Sequence, residues 1–181
     1  MSRLPPAPDF NAIDAVAPQT ADQRTNILTL IGNLIFSWSN NESMFIYLLM
    51  VLLKTDFNSA AITFITLNTT RARLDLIRRL AKSKSADPQI VRRIERLIER
   101  FNRCTRIRNE FNHCIYRVDD KGNITHADML RVVEKKDGLS IVTTKEFDDK
   151  RIREIVNTIR SLKQLNRDIW EFLPELERAI G

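Results

Sequence analysis

Apolar residues recur at spacings of three and four over long stretches of this chain, which is the period of an amphipathic helix. The pattern predicts a first long helix over residues 20–54 and a second over residues 58–84. Asp87 followed by Pro88 is a helix-start signal, and the apolar spacing that follows predicts a third helix ending near residue 116.

The period then changes to short runs that are typical of β-strands. Turn residues at 120–123 and the dipeptide Asp137-Gly138 predict a small antiparallel ribbon over residues 115–144. A helical period then returns and predicts a last long helix, which starts either at Thr143 with Glu146 or at Asp148 alone. Pro174 is expected to end or kink this helix.

These elements define the expected fold class as mainly α. We expect an antiparallel bundle of four, up to five, helices, with the β-ribbon inserted between the third and fourth long helices. A chain of 181 residues has the length of one domain, which we assign to residues 19–181. Residues 1–18 hold four of the six prolines and are predicted to form a disordered N-terminal arm.

Charge and cysteine content narrow the class of protein. The formal net charge is +6, and residues 71–117 hold 14 basic but only 5 acidic residues. This local excess favours an anionic partner such as nucleic acid, although a solvated arginine-rich helix face has the same composition. Cys104 and Cys114 lie ten residues apart on the predicted third helix, too far for a disulfide, so we expect a cytoplasmic protein. The longest apolar run, residues 44–53, is too short to span a membrane.

Several classes of enzyme are excluded by missing motifs. The chain has no Gly-rich phosphate loop, no zinc-type Cys/His cluster and no Gly-x-Ser-x-Gly elbow. His113 and His126 are the only histidines, and the acidic pairs at 119–120 and 148–149 suit turns and helix caps. We therefore predict neither a metal site nor a cofactor.

The predicted third helix ends in Arg108-Asn109-Glu110-Phe111-Asn112-His113. This segment resembles the Arg-Asn-x-x-x-His signature of HEPN domains, helical bundles many of whose members are metal-independent ribonucleases and toxins. The resemblance covers the helical framework loosely and this motif specifically, and the ribbon is an elaboration. Some HEPN toxins carry a modified tyrosine two residues after the histidine; Tyr116 lies three after it, so the resemblance does not extend to that switch.

The apolar spacing points to Arg108 independently. The apolar stripe at positions 90, 94, 97, 101 and 104 continues to position 108, so the spacing predicts an apolar side chain there. A charge in that position needs a partner or a purpose. Two interpretations stay open: an ion pair with Glu42, and a guanidinium held for another task.

The helical geometry also bears on the state of assembly. Arg108 and His113 lie about 140° apart around an ideal helix, whereas Asn109 and His113 share a face. One helix does not place both charged groups around one phosphate. A two-fold dimer that packs the third helix against its symmetry mate would bring two copies of Arg108, Asn109 and His113 into one cleft. We therefore expect a homodimer, the state in which HEPN ribonucleases generally act.

The resemblance implies attack of an RNA 2′-hydroxyl on the adjacent phosphorus, giving a 2′,3′-cyclic phosphate and a 5′-hydroxyl. His113 would serve as general acid or base, Arg108 would stabilise phosphoryl charge, and Asn109 would position His113 or a phosphate. Glu42, Arg71 and Arg73 are expected to support the site. Possible RNA contacts on the third helix, which also fit a solvated face, are Arg92, Arg96, Arg100, Arg103 and Arg106.

Two functions follow as hypotheses. The first is a dimeric endoribonuclease acting as a toxin or defence effector, with RNA as substrate and an antitoxin protein as a possible partner. The alternative is a non-catalytic HEPN-like helical module that binds RNA or a protein, in which the same residues are structural.

Overall fold

The structure, a computed structural model, describes residues 21–85, 87–135 and 138–180. Its elements in chain order are α1 (Ala21–Leu53), α2 (Phe57–Thr66), α3 (Thr70–Lys84), α4 (Pro88–Asn112), β1 (Cys114–Val118), β2 (Ile124–Lys135), β3 (Gly138–Glu146) and α5 (Asp149–Ile180). The prediction of a mainly helical chain with a small antiparallel sheet is confirmed. The predicted N-terminal arm, residues 1–18, lies outside the described residues.

The described chain divides into two compact units. The helical unit comprises residues 33–109 and 156–180, and the sheet unit comprises residues 21–32 and 110–155. Each unit has its own buried apolar residues. The interpretation of residues 19–181 as one bundle stays a prediction.

The predicted second helix over residues 58–84 is wrong as a single element, because the chain leaves the helical conformation at residues 67–69. Thr69 is extended, with φ −132° and ψ 142°, and its Oγ1 accepts a hydrogen bond from the backbone N–H of Ala72 at 3.1 Å. This is an N-cap, so α3 starts as a new helix. The apolar period runs across the break and hides it from the sequence pattern.

Two backbone carbonyls at the end of α2 are satisfied from α3. Arg73 Nε donates to the carbonyl oxygens of Phe64 at 3.1 Å and Leu67 at 2.9 Å. The last carbonyls of a helix have no partner within the helix, so these bonds stabilise the reversal between α2 and α3.

Contacts within the helical unit give the direction of α4. The Trp38 and Phe45 rings of α1 both pack on the Phe101 ring of α4, with centroids 5.3 and 5.2 Å apart. Trp38 also donates from Nε1 to Thr105 Oγ1 at 2.8 Å. Earlier residues of α1 therefore contact later residues of α4, so the two helices run antiparallel.

The same reasoning shows that α5 runs parallel to α1. Asn41 Nδ2 donates to the Leu162 carbonyl at 3.0 Å, and six residues later the Tyr47 ring lies 5.4 Å from that of Trp170. In a bundle with one unbroken second helix these two helices would be antiparallel. The extra reversal at residues 67–69 changes the direction of every later element of this unit.

The core of the helical unit is built from aliphatic and aromatic side chains. Fully buried members include Leu34, Phe45, Leu48, Leu49, Leu52, Ile77, Ile94, Ile98, Phe101, Leu165, Ile169 and Phe172. Each large apolar side chain removed from water stabilises the fold by about 2 kcal/mol. Asn41 is buried among them, and its amide also donates to the Ser37 carbonyl at 2.8 Å.

The sheet of the other unit has the strand order β1-β2-β3, with both pairs antiparallel. The β1–β2 connection is closed by Asp119, whose Oδ1 accepts from the N–H of Asn123 at 2.8 Å and of Lys121 at 3.0 Å. Gly122 takes a φ of 79°, which favours glycine. Of the predicted Asp137-Gly138 turn, Asp137 lies outside the described residues.

Two further sequence expectations need correction. Helix α4 ends at Asn112, so Cys114 lies at the start of β1 and not on the helix of Cys104; both cysteines are free thiols. Of the two effects expected of Pro174, an end of the last helix is wrong, because the helix continues to Ile180 with Pro174 inside it. Among the described residues, no single helix is both long and apolar enough to cross a membrane; α1 and α2 meet that test only as a pair bent by 118°.

Candidate functional site

Arg108 is the second-last residue of α4 that belongs to the helical unit, and its guanidinium packs on the ring of Trp38. Its Cζ atom is 3.5 Å from the centroid of Trp38, and its Nη1 donates to Asn109 Oδ1 at 2.9 Å. The Nε atom is buried without a hydrogen-bond partner. Trp38 is itself fixed by Thr105 and Phe101, so the guanidinium rests on a rigid platform.

The ion pair considered between Arg108 and Glu42 is not formed. Glu42 Oε1 instead accepts from Thr70 Oγ1 at 2.5 Å and from Arg73 Nη1 at 3.2 Å. The Glu42 and Arg73 side chains are 15% and 20% exposed, so this is a largely buried pair joining α1 to α3. In the part of the chain that the structure describes, Arg108 has no carboxylate within ion-pair distance.

The charge on Arg108 is nevertheless retained. Partial burial lowers the pKa of its guanidinium, and the negative charge of nearby Glu42 opposes that change. A guanidinium starts from so high a pKa that it stays protonated at neutral pH. The helical unit therefore holds a stacked, partly buried cation whose positive charge no directly bound carboxylate balances.

A polar cleft of about 470 Å³ lies between α3 and α4. Its lining residues are Thr69, Thr70, Arg71, Asp75 and Arg78 from α3 and its cap, and Asn102, Thr105 and Asn109 from α4. Every one of these side chains is polar, and the volume is that of a small-ligand site. Asp75 contacts Arg78 at 2.8 Å and Arg71 at 3.9 Å, so one carboxylate faces two cations.

Asn109 connects the cleft to Arg108. Its side-chain oxygen accepts from the Arg108 guanidinium while the residue lines the cleft. The amide nitrogen of the same side chain is then available as a donor. Two of the predicted site residues, Arg108 and Asn109, are thus brought together, and the supporting residue Arg71 borders the same cleft.

Apart from Arg108, the arginines of α4 fall into two groups. Arg93 and Arg100 form ion pairs with Glu175 and Asp168 of α5, and Arg93 also stacks on Phe172. The exposed members are Arg92, Arg96, Arg103 and Arg106. Of the predicted RNA contacts, Arg100 therefore has a structural ion pair, whereas the other four present their side chains to solvent.

His113 belongs to the sheet unit and is exposed. It follows the last residue of α4, so the expectation that Asn109 and His113 share a helix face is wrong. The Nδ2 atom of Asn112 lies 3.3 Å from His113 Nε2. An exposed imidazole next to an amide is accessible for proton transfer.

The sheet unit also contains a charged cluster that the sequence pattern missed. Arg151 is 6% exposed, donates from Nη2 to Glu110 Oε2 at 2.5 Å and from Nη1 to Glu154, and stacks on Phe111 at 4.4 Å. Lys145 Nζ donates to the same Glu110 oxygen at 3.0 Å. Burial alone would raise the pKa of Glu110, but the bonds and charges of the two cations hold it below its ordinary value.

Tyr116 is held by the backbone of the same unit. Its hydroxyl donates to the Phe111 carbonyl at 2.8 Å, and burial raises the pKa of the phenol well above its ordinary value. The hydroxyl is therefore neutral and occupied as a donor.

Comparisons with known proteins do not assign these residues to a family. No family model, curated protein or solved structure matches the chain.

Proposed function

We propose that this protein is a metal-independent endoribonuclease that acts as a homodimer, with Arg108, Asn109 and His113 as its site residues. The observation that carries the proposal is the Arg108 guanidinium, which is stacked on Trp38 without a bound carboxylate and joined through Asn109 to a polar cleft. An RNA phosphate is the anion that this cation lacks. A planar guanidinium can donate two parallel hydrogen bonds to it.

The proposed reaction needs one proton acceptor, one proton donor and one stabilised anion. The 2′-oxygen forms a bond to phosphorus as an imidazole of His113 takes the proton of the 2′-hydroxyl. The bond from phosphorus to the 5′-oxygen breaks as a protonated His113 gives a proton to that oxygen, which leaves as the 5′-hydroxyl. Arg108 stabilises the added charge on the phosphoryl oxygens. A single phosphate must meet both groups, and a two-fold dimer supplies two copies of each.

The cleft between α3 and α4 is the proposed binding site for a nucleotide next to that phosphate. Its donors include the side-chain amides of Asn102 and Asn109. Arg71, whose side chain is 92% exposed, adds a cation that lies 3.9 Å from Asp75. The exposed arginines of α4 extend this surface along the RNA backbone. Their contribution is electrostatic and is expected to weaken with salt.

The biological role that fits this chemistry is a HEPN-type toxin or defence effector in the cytoplasm. An antitoxin protein that restrains the enzyme is its expected protein partner. Overexpression is then expected to slow growth, and His113→Ala is expected to remove the effect.

The test is cleavage of purified RNA in excess EDTA. Wild type is expected to give 2′,3′-cyclic phosphate and 5′-hydroxyl ends, and Arg108→Ala and His113→Ala to cut about 10² to 10⁴ times more slowly. His126→Ala, which removes the other histidine, and Arg160→Ala, which removes an exposed arginine of α5, are the matched controls. If wild type leaves RNA intact, or if His113→Ala cuts as fast as His126→Ala, the proposal is rejected.

A second candidate, a non-catalytic module that binds RNA or protein, is favoured by the packing of Arg108. Its stacking on Trp38 and its bond to Asn109 give it a structural role without any substrate. This function predicts RNA binding by wild type without cleavage. Fluorescence anisotropy with a labelled RNA, run beside the cleavage assay, separates the two functions.

A further inference from the structure

The cleft between α3 and α4 has one polar wall from each helix. Spacings of three and four put the lining residues on one face of each helix: Arg71, Asp75 and Arg78 on α3, and Asn102, Thr105 and Asn109 on α4. Among the described residues that line the cleft, Asp75 is the only acid. The two lining arginines outnumber it, so the cleft favours an anionic ligand and also offers one carboxylate to N–H groups.

The two helices run antiparallel, which fixes how the walls face each other. Lys82 near the end of α3 forms an ion pair with Glu95 near the start of α4 at 2.9 Å. Equal steps of helix away from this pair place Asp75 level with Asn102. Asn102 precedes Arg108 by six residues, or about 9 Å of helix. That length is the span from the phosphate of a nucleotide to the far edge of its base, so a nucleotide whose phosphate meets Arg108 brings its base edge to Asp75.

The Asp75 carboxylate is oriented by arginine and still accessible. Its Oδ1 accepts from Arg78 Nη1 at 2.8 Å, whereas Arg71 Nε lies 3.9 Å from Oδ2, beyond hydrogen-bond distance. The Asp75 side chain is 38% exposed, so its oxygens can accept further hydrogen bonds from a ligand. The Arg78 guanidinium has other N–H groups beside this carboxylate, and the pair therefore presents donors next to acceptors.

Guanine is the RNA base whose edge matches this pair. Its N1–H and N2–H groups lie side by side, next to the O6 acceptor. Adenine and cytosine place an acceptor beside their amino group, and uracil has a single N–H between two carbonyls. We propose that the cleft binds guanine, with Asp75 accepting from N1–H and N2–H and Arg78 donating to O6.

The inference rests on the proposed function, because it names the base that the ribonuclease holds next to the cleaved phosphate. The two proposals nevertheless fail separately. A chain that selects guanine nucleotides but leaves RNA intact in EDTA retains the guanine site and loses the enzyme. A chain that cuts RNA but binds guanine and adenine nucleotides equally retains the enzyme and loses the guanine site.

Nucleoside 3′,5′-bisphosphates test the base preference without any cleavage. They have a phosphate on both sides of the nucleoside and no leaving nucleotide, so calorimetry measures binding alone. Wild type is expected to bind the guanosine compound about tenfold more tightly than the adenosine compound. The inosine compound keeps N1–H and O6 but lacks the N2 amino group, so its affinity is expected to lie between the two. Equal affinity for guanosine and adenosine bisphosphates overturns the proposal.

A variant of Asp75 tests the carboxylate. Asp75→Asn turns one acceptor into a donor, so the ratio of the adenosine to the guanosine dissociation constant is expected to fall from about ten to about one. Glu171→Gln is the matched control, because it removes one negative charge from an exposed position of α5 and is expected to keep the wild-type ratio. A guanine preference that survives in Asp75→Asn rejects the assignment. Circular dichroism checks the fold of the variant, and the wild-type bisphosphate series decides the matter if Asp75→Asn does not fold.

Discussion

Two of the arginines that stack on aromatic rings, one in each unit, differ in their counter-ions. Arg151 of the sheet unit lies on Phe111 and binds Glu110 and Glu154. Arg108 of the helical unit lies on Trp38 and binds only the amide oxygen of Asn109. A buried cation whose hydrogen bonds end on carboxylates is part of the fold, whereas one left without an anion can bind an anion from outside.

The largest expected effect on stability is at Arg151. Arg151→Ala leaves two carboxylates without their shared cation and is expected to lower the free energy of unfolding by about 3 kcal/mol. Arg108→Ala loses a cation–π contact and is expected to lower it by about 1 kcal/mol. Urea unfolding of both variants checks the difference, and equal losses would contradict the distinction between the two arginines.

Asn109→Asp would give Arg108 a bound carboxylate, as Arg151 has in the sheet unit. The new carboxylate replaces the amide oxygen that Arg108 already contacts, so the variant is expected to bind RNA about tenfold more weakly, or about 1.4 kcal/mol, and to unfold no more easily. Asn109→Ala removes the hydrogen bond without adding charge and is the control. Equal RNA affinities of the two variants would show that the missing counter-ion is unimportant.

The smallest effect is a pH dependence in the sheet unit. The pKa of Glu110 is lowered in the folded protein, so its contribution is present above the ordinary glutamate pKa of about 4.3 and is lost as the pH falls through the folded value. Glu110→Gln is therefore expected to lower the free energy of unfolding by about 1 kcal/mol at pH 7, with the difference from wild type shrinking below pH 5.

Urea unfolding of wild type and Glu110→Gln from pH 7 to pH 3 measures this difference. Other carboxylates with lowered pKa values, among them Asp128 and Asp168, contribute equally to both proteins and cancel in the comparison. If the difference in free energy of unfolding between the two proteins does not change with pH, the charge of Glu110 does not stabilise the fold.

Local signals explain which parts of the fold were predictable. The helical period and the Asp87-Pro88 start signal depend on neighbouring residues only, and α4 indeed begins at Pro88. The break at residues 67–69 was missed because Thr69 acts as a cap only when its side chain turns back to Ala72. The parallel arrangement of α1 and α5 follows from that one break.

In the candidate site, too, some features were predictable from local sequence and others were set by tertiary contacts. The sequence pattern identified Arg108 as a charge on an apolar stripe, and the motif identified Asn109. The apolar spacing also suggested Glu42 as the partner of Arg108, but Arg73 forms the ion pair with that carboxylate instead. Competition between two arginines for one acid depends on where three helices lie in space, which no spacing along the chain records.

By itself, then, the amino-acid sequence determined the mainly helical class, the local excess of positive charge and the position of an unusual arginine, because each depends on residue type and short-range period. Only the tertiary structure decided which charges are neutralised. Arg151 finds an acid 41 positions away along the chain, whereas Arg108 finds none within reach in the described part. Ion pairing depends on distance through space, and folding sets that distance.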